Sequence, residues 1–329
     1  MTGGLGFIAS NLIRHMLSKQ SDIKVTNIDN LSIGANPANL RDVEKDPRYS
    51  FIKGDITNFK LISKLMKGVD VVVNSAAETH VDRSIANPRR FLESNAIGTF
   101  TVLEAVRRSN PTARVVHVST DEIYGDTLES SFKESDRLKP SSPYAATKAA
   151  ADMFVLAYYR TYGLEAAITR STNNFGPYQH PEKLIPKTII RARLNLPVPV
   201  YGQGKQVRDW IYVLDHCEAL CQIIEKGKAG DIYNISAGNE MANLEVVEAL
   251  LELLGKSKDL IEFVEDRPGH DLRYSLDSSK IRSELGWRPK RSFKEALEET
   301  TEWYVKNESW WKTLASRKVL HPTPWKLEW

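Results

Sequence analysis

The sequence predicts an α/β protein built on a doubly wound parallel sheet, with a smaller C-terminal lobe. In its first half, short runs rich in β-branched residues alternate with helix-like segments, the rhythm of a sheet covered by helices on both faces. The predicted strands are residues 24–29, 49–53, 69–75, 114–119 and 165–170. The third and fourth runs are almost continuously apolar, as expected for buried central strands.

The second half changes character after Arg170. Connections rich in proline and glycine separate helix-like segments near residues 183–195, 243–254 and 293–306, and residues 231–236 look like one more strand of the sheet. We therefore expect one domain over residues 1–170, with returning segments near 205–238, and a lobe formed mainly by residues 171–329.

Composition excludes several classes of protein. The 329 residues carry 45 Lys and Arg against 42 Asp and Glu, a net charge of +3 without basic blocks, which argues against nucleic-acid binding. No run approaches the roughly 18 apolar residues of a membrane span and no leader pattern opens the chain, so we expect a cytoplasmic protein without membrane contact. Cys217 and Cys221 have no second Cys/His cluster near them in the sequence, so we expect core thiols and no metal.

A glycine-rich loop opens the chain, with Gly3 and Gly6 ahead of a helical segment that starts near Phe7 and Ile8. Glycine suits a backbone that turns tightly and lets a pyrophosphate approach the amides of a helix N-terminus. Alone, such a loop is equally typical of an ordinary turn. The next strand, however, ends in Asp29, where an acid can accept the ribose hydroxyls and repel a 2′-phosphate. We therefore predict a Rossmann domain that binds NAD rather than NADP.

The segment before the glycine loop is unusual, because only Met1 precedes Thr2 whereas a nucleotide-binding fold has a buried strand there. Our hypothesis is that the natural chain begins a few residues upstream and that Met1 stands at a strand position. Further along, Asp55-Ile56 and Ala76-Ala77 follow strand ends, and the small alanines leave room for a nucleotide.

Tyr144 and Lys148 lie four residues apart and so share one face of a helix that Ser142 and Pro143 begin. To act as a base near neutral pH, a tyrosine with a free pKa of about 10 needs a shift of roughly 3 units, or about 4 kcal/mol. A nearby ammonium, together with the positive nicotinamide ring of NAD, is of the right size in a site with little water. Lys148 is therefore interpreted as the activator of Tyr144, although a solvated helix face is the simpler reading of the spacing alone.

A hydroxyl and two carboxylic acids follow the strand that precedes this helix, namely Thr120, Asp121 and Glu122. Ligands bind at the carboxyl edge of such sheets, so these side chains are candidates for acid–base chemistry. An acidic pair on an exposed loop is the alternative.

The Tyr-x-x-x-Lys pattern and the glycine loop resemble the extended short-chain dehydrogenase/reductase superfamily. Within it, segments across nearly the whole chain resemble the dTDP-glucose 4,6-dehydratase family: residues 76–84, 119–125, 173–178, 181–186, 208–210 and 266–271. The Thr-Asp-Glu triplet is the most specific of these. Ala9 and Asn74 depart from the family pattern, but neither belongs to the chemical triplet.

This resemblance implies NAD-dependent dehydration of dTDP-glucose to dTDP-4-keto-6-deoxyglucose. Tyr144 would take the proton of the 4-hydroxyl while carbon 4 gives a hydride to NAD, with Thr120 positioning the hydroxyl. Glu122 would then remove the carbon 5 proton, Asp121 would protonate the departing 6-hydroxyl, and the hydride would return to carbon 6. One acid must be charged and the other neutral, which different burial and mutual repulsion can arrange.

The resemblance also implies binding residues. Those expected to contact NAD are Gly3, Gly6, Phe7, Ile8, Asp29, Asn30, Ser32, Asp55, Ile56, Ala76, Ala77, Glu78, Ser94, Tyr144, Lys148 and Asn174. Those expected to contact the nucleotide sugar are Thr79, Thr120, Asn173, Lys183, Leu184, Tyr201, Arg208, Asn243, Arg267 and His270. The cations among them would meet the diphosphate.

Other functions stay open at this point. A 4-epimerase, a decarboxylase or a CDP- or UDP-sugar dehydratase would share the opening oxidation, and a non-catalytic NAD-sensing module would share only the fold. The family resemblance further implies a homodimer, formed by the helix that carries Tyr144 and a helix near residues 91–107.

Overall fold

The computed structural model describes all 329 residues, and its parallel Rossmann-type sheet with flanking helices confirms the predicted α/β fold class. The strands are β1 (Val25–Asp29), β2 (Tyr49–Lys53), β3 (Val71–Asn74), β4 (Arg114–Thr120), β5 (Ala166–Ser171), β6 (Asn173–Phe175), β7 (Val198–Tyr201), β8 (Val207–Tyr212), β9 (Ile232–Ile235), β10 (Glu240–Ala242) and β11 (Ile261–Val264). The helices are α1 (Phe7–Lys19), α2 (Phe59–Leu65), α3 (Val81–Ala86), α4 (Pro88–Phe91), α5 (Gly98–Ser109), α6 (Pro143–Tyr162), α7 (Leu184–Arg193), α8 (Val213–Lys226), α9 (Asn243–Leu253), α10 (Ser279–Leu285), α11 (Phe293–Lys306) and α12 (Glu308–Lys312). No helix is both long enough and apolar enough to span a bilayer.

The main sheet is entirely parallel. β1 pairs with β2, while β3, β4, β5 and β9 follow one another. Thr2 pairs with Ile28 of β1 and with Asn74 of β3, and so joins the two groups into one layer. The Thr2 amide donates to the Val73 carbonyl at 3.0 Å and the Gly3 amide to the Ile28 carbonyl at 2.8 Å. These bonds fix the glycine loop beside the carboxyl ends of both strands.

Both faces of the main sheet are covered, which explains why its central strands are apolar throughout. On one face, Val102 of α5 and Val155 of α6 pack in one cluster with Ile168 of β5. On the other, Leu12 of α1 and Leu220 of α8 pack with Val73 of β3. The alternation of strands and helices in the first half of the sequence therefore has the physical origin that the sequence suggested.

The second half of the chain builds a smaller set of strands and helices. β8 lies between β6 and β10, and β7 pairs with β11. α7, α9 and α11 pack around a separate core that includes Ile189, Leu250, Leu297, Phe175 and Trp210. Within the segment expected to return to the sheet, β9 does so, whereas β8 belongs to this smaller sheet.

The helix expected near residues 91–107 is not a single α-helix. Leu92–Ile97 is π-helical and separates α4 from α5. The side-chain amide of Asn95 in this segment donates to the Glu78 carbonyl at 3.1 Å and to the Thr147 hydroxyl at 3.0 Å. Because the widened turn places this amide between a loop and α6, tertiary contacts account for the departure from α-helical geometry.

Candidate active site

The carboxyl ends of the main-sheet strands open into one cavity. All but two of the residues predicted to contact NAD line it: Gly3, Gly6, Phe7, Ile8, Asp29, Asn30, Ser32, Ile56, Ala76, Ala77, Ser94, Tyr144, Lys148 and Asn174. The two exceptions, Asp55 and Glu78, do not line the cavity. Asp55 accepts a hydrogen bond from the Asn30 side chain at 2.8 Å, and Glu78 is buried in an ion pair with Arg83 at 2.5 Å. Both acids are therefore already engaged by other side chains.

The glycine loop has the shape that a dinucleotide requires. Gly3 adopts φ +67°, and a Cβ there would lie 2.6 Å from Cα of Ala76, so no side chain fits. α1 begins at Phe7 without a side-chain cap, which leaves its first amides available to an anion. Asp29, at the end of β1, accepts from the Leu5 amide at 3.0 Å and lies in the cavity wall. These residues fit NAD, with the loop for its pyrophosphate and Asp29 for a ribose.

Tyr144 and Lys148 occupy the first two turns of α6, which begins where expected because the Ser142 side chain accepts from the Ala145 amide at 3.1 Å. Both residues are buried, and the Lys148 ammonium donates to the Val118 carbonyl at 2.6 Å. Burial lowers the pKa of Lys148 to about 8, against the opposing effect of Asp152.

The protein's own groups do not by themselves turn Tyr144 into a base. Burial and the charge of Glu122 raise the pKa of the Tyr144 phenol, and the Thr120 hydroxyl only partly offsets them. Nearby positive charge therefore has to favour the phenolate. That Lys148 supplies part of this charge stays a prediction.

The predicted acids lie in the same cavity, on a single 3₁₀ turn (Asp121–Tyr124) that follows β4 and is capped by Thr120. Burial and the neighbouring charge of Glu122 raise the pKa of Asp121 to about 8, so this carboxyl is mostly protonated at pH 7. Burial also raises the pKa of Glu122, but three cations oppose the shift: Arg267, Lys183 and Arg208. The two acids thus differ in their surroundings as a proton donor and a proton acceptor should.

A second cavity adjoins the first and shares Thr79, Glu122, Asn173, Glu182 and Lys183 with it. Every predicted substrate residue except Thr120, which lines the first cavity, is found here: Thr79, Asn173, Lys183, Leu184, Tyr201, Arg208, Asn243, Arg267 and His270. Glu122 therefore stands at the junction of the space that fits a dinucleotide and the space expected for the substrate.

The second cavity is held in shape by polar contacts between distant segments. Nη1 of Arg267 pairs with Asp82 at 3.0 Å, and Tyr201 donates to the same carboxylate at 2.8 Å. The Lys183 ammonium donates to the Thr79 carbonyl at 2.7 Å. His270 is bonded to Asp266, and burial lowers its pKa to about 4, so its imidazole is neutral at pH 7.

Sequence reasoning missed several residues of this site. Asp82, Glu182 and Lys187 line the second cavity but were not singled out. Two of them lie in segments that carry the family resemblance, and Lys187 follows Lys183 by one helical turn, so helical spacing could have found it. Asp82 could not have been paired with Arg267 from spacing, because the two are 185 residues apart.

Fold and site together define a Rossmann-type enzyme in which a helix-borne tyrosine and lysine share a cavity with two carboxylic acids. The sequence pattern of the family described as GDP-mannose 4,6 dehydratase matches residues 1–300. The chain belongs to this family and, within it, to the group of dTDP-glucose 4,6-dehydratases, as the sequence resemblance indicated.

Relatives of similar sequence identity are found in bacteria and archaea. The dTDP-glucose 4,6-dehydratase of Streptomyces niveus is 45% identical over 320 residues, covering 96% of this chain and 95% of its own. The low-salt glycan biosynthesis protein Agl12 of Haloferax volcanii is 47% identical, covering 93% of this chain and 97% of its own.

Solved structures agree with this placement. The dTDP-glucose 4,6-dehydratase DesIV of Streptomyces venezuelae, crystallised with NAD and TYD, superposes with a TM-score of 0.93 at 46% identity. The match covers 95% of this chain and 98% of that chain. The UDP-glucuronic acid 4-epimerase of Bacillus cereus reaches a TM-score of 0.87 at 28% identity, covering 93% and 98%. The overall fold is therefore shared with epimerases.

We expect Gly3→Ala to abolish retention of NAD, because the new Cβ would collide with the backbone of Ala76 at 2.6 Å. The measurement is the NAD content of the purified protein after acid extraction. Gly68→Ala is a matched control, since Gly68 adopts φ +71° but a Cβ there meets nothing within 4 Å. Equal NAD content in both variants would contradict the assignment of this loop.

Proposed function

We propose that this chain is an NAD-dependent dTDP-glucose 4,6-dehydratase, which forms dTDP-4-keto-6-deoxyglucose. The observation that carries the proposal is the placement of Asp121 and Glu122 in the cavity of Tyr144 and Lys148, with Glu122 also facing the second cavity. Oxidation at carbon 4 needs only the tyrosine–lysine pair and a hydride acceptor. Elimination of water needs a further acid and base. The names of the relatives support the same reaction.

Each step uses a group whose surroundings suit it. Tyr144 accepts the proton of the 4-hydroxyl, helped by the charge of Lys148, and Thr120 orients that hydroxyl. Glu122, whose charged form three cations favour, removes the proton from carbon 5. Asp121, with a pKa of about 8, donates a proton to the departing 6-hydroxyl. NAD, when bound, would supply the acceptor for the hydride of carbon 4 and the donor for its transfer to carbon 6, while Glu122 gives a proton back to carbon 5.

We propose a matching division of labour along the chain. Residues 1–170, with the returning segments near 205–238, hold NAD, because the glycine loop, Asp29 and the strand ends line the first cavity. Residues 171–329 mainly hold the nucleotide sugar, because Lys183, Arg208 and Arg267 bring positive charge to the second cavity.

A 4-epimerase is the principal alternative, since such enzymes share this fold at 28% identity. It would need no acid–base pair beside the tyrosine and lysine. The buried, partnerless oxygens of Asp121 and Glu122 favour elimination, because burying carboxyl groups without a hydrogen-bond partner is costly unless the reaction uses them.

The function is tested by incubating the protein with dTDP-glucose in heavy water and locating the label by NMR. We expect deuterium at carbon 5 of a 4-keto-6-deoxy product, because Glu122 and solvent exchange the proton there. A parallel reaction with substrate deuterated at carbon 4 should place that deuterium at carbon 6. A carbon 4 epimer as the sole product would instead establish the epimerase.

The role of Glu122 is tested by Glu122→Gln. We expect this variant to oxidise carbon 4 but to lose dehydration by about 10²- to 10⁴-fold, the usual contribution of a general base. Reduced cofactor should then accumulate, visible by its near-ultraviolet absorbance. Glu129→Gln, at an exposed position in the loop after the acid turn, serves as the control. Unchanged dehydration in Glu122→Gln would remove this residue from the scheme.

We further propose that the protein is a homodimer. Large apolar side chains are exposed together on α5, α6 and the π-helical segment between α4 and α5: Leu92, Ile97, Phe100, Met153, Phe154 and Tyr162. Phe100 and Phe154 also contact each other, with ring centroids 5.7 Å apart, so the two helices present one continuous patch. A patch of this kind is typical of a subunit interface. A second copy of the chain is the occupant that the family resemblance favours.

The dimer proposal predicts that Phe154→Glu will be a monomer at micromolar concentration, because a carboxylate would be buried in the interface. Light scattering after size-exclusion chromatography measures the mass. Phe263→Glu is the control, since Phe263 is also exposed but lies on β11, away from the patch. A monomeric native protein would refute the proposal.

A cytoplasmic location is proposed as well. Both cysteines are unpaired and Cys217 is fully buried, which fits a reducing compartment.

A further inference from the structure

A buried polar layer lies beneath the tyrosine and lysine of α6. The Lys148 ammonium is almost inaccessible, and its one hydrogen bond goes to the neutral carbonyl of Val118. An ammonium removed from water in this way needs a counter-charge to stay protonated. Asp152, one helical turn beyond Lys148 and fully buried, is the only charged group that favours the protonated form of Lys148.

The other contacts of Asp152 join it to β4 and β5. One carboxylate oxygen accepts from Nε of Arg170 at 2.9 Å. The other oxygen has no hydrogen-bond partner and lies 3.6 Å from the His117 ring. His117 is neutral, because burial and the charges of Lys148 and Arg170 keep its pKa well below the ordinary value. Burial raises the pKa of Asp152, while the charges of Arg170 and Lys148 and the Ser119 hydroxyl oppose that shift.

Arg170 extends the same network to the acid turn. Its Nη1 donates to the hydroxyl of Tyr124 at 2.6 Å, and its guanidinium lies 4.7 Å from the centre of that ring. Tyr124 is the last residue of the turn that carries Asp121 and Glu122. A continuous set of contacts thus runs from the Lys148 side of α6 to the two acids.

We propose that Asp152 is a positioning residue, which keeps Lys148 charged and, through Arg170 and Tyr124, holds the acid turn in register with the tyrosine–lysine helix. The inference rests on the proposed function, because it concerns how that same site is kept active. It adds a residue that touches neither the substrate cavity nor the cofactor cavity.

The expected effect on pH dependence follows from the groups around Lys148. Asp152 of α6 raises the pKa of Lys148, His117 of β4 is affected by the charge of Lys148, and Arg170 of β5 pairs with Asp152. Tyr144 of α6 and Asp121 and Glu122 of the turn share the cavity of Lys148. Without the charge of Asp152, the pKa of Lys148 falls further below about 8, so the ammonium is lost at a lower pH. The alkaline limb of carbon 4 oxidation therefore moves towards lower pH.

The test compares Asp152→Asn with the native protein, both carrying Glu122→Gln so that only carbon 4 oxidation is observed. We expect the alkaline limb to move down by about 1 pH unit, which is about a fivefold loss of rate at pH 8. Asp215→Asn is the matched control, because Asp215 is equally buried but lies on α8 and contacts the backbone of Arg291. A pH profile that is the same in all three proteins would overturn the proposal.

A second measurement keeps the inference testable if Asp152→Asn alone does not fold. It also tests this inference separately from the proposed function. Asp152→Asn leaves Arg170 without a carboxylate, so R170Q and the double variant D152N/R170Q are prepared as a second pair that differs only at residue 152. The Lys148 ammonium is titrated by ¹⁵N NMR of Nζ, with its signal assigned by its absence in Lys148→Met. A lower pKa of Lys148 in D152N/R170Q than in R170Q supports the proposal even if dTDP-glucose is not the substrate, and equal pKa values in the two variants overturn it. Failure of the native protein to dehydrate dTDP-glucose would count against the function alone.

Discussion

Exclusion of water from the carboxyl edge of the main sheet is the constraint on which the site depends. β4 and β5 are central strands, and α6 lies against them, so Lys148 and Asp121 have almost no contact with solvent. Burial moves the pKa of Lys148 down to about 8 and that of Asp121 up to about 8. Both pKa values thus lie close to neutral pH, where each group can gain or lose a proton at little cost.

Burial acts on Tyr144 in the opposite sense from what a base requires, because it disfavours the phenolate as it disfavours any charge. The fold therefore supplies a dry site in which burial sets the direction of each pKa shift, and neighbouring charges change its size. Glu122 raises the pKa of Asp121, whereas Arg267, Lys183 and Arg208 act to lower that of Glu122. These two adjacent residues therefore differ in the charges that surround them.

Sequence patterns could predict the fold where local and tertiary preferences agree. β3 and β4 are apolar along their whole length because helices cover both faces, and α6 begins at Pro143 because a serine cap precedes it. The π-helical turn around Asn95 could not be predicted, because it depends on contacts with Glu78 and Thr147, 17 and 52 residues away. Sequence motifs predicted those cavity residues that belong to short continuous segments, such as the glycine loop and the acid turn.

The charge of the second cavity shows why composition gave no hint of an anionic substrate. Four cations line it, Lys183, Lys187, Arg208 and Arg267, against the three carboxylates of Asp82, Glu122 and Glu182. Both histidines there are neutral, since burial lowers the pKa of His80 to about 3 and that of His270 to about 4.

Arg83, which does not line the cavity, pairs with Glu182 at 3.0 Å and also with Glu78, so it leaves the excess of positive charge in the cavity unchanged. The positive charge left over is therefore local, while the whole chain carries only +3. A diphosphate entering this cavity would meet cations that the fold holds in place through backbone carbonyls and Asp82, so little ordering remains to be done on binding.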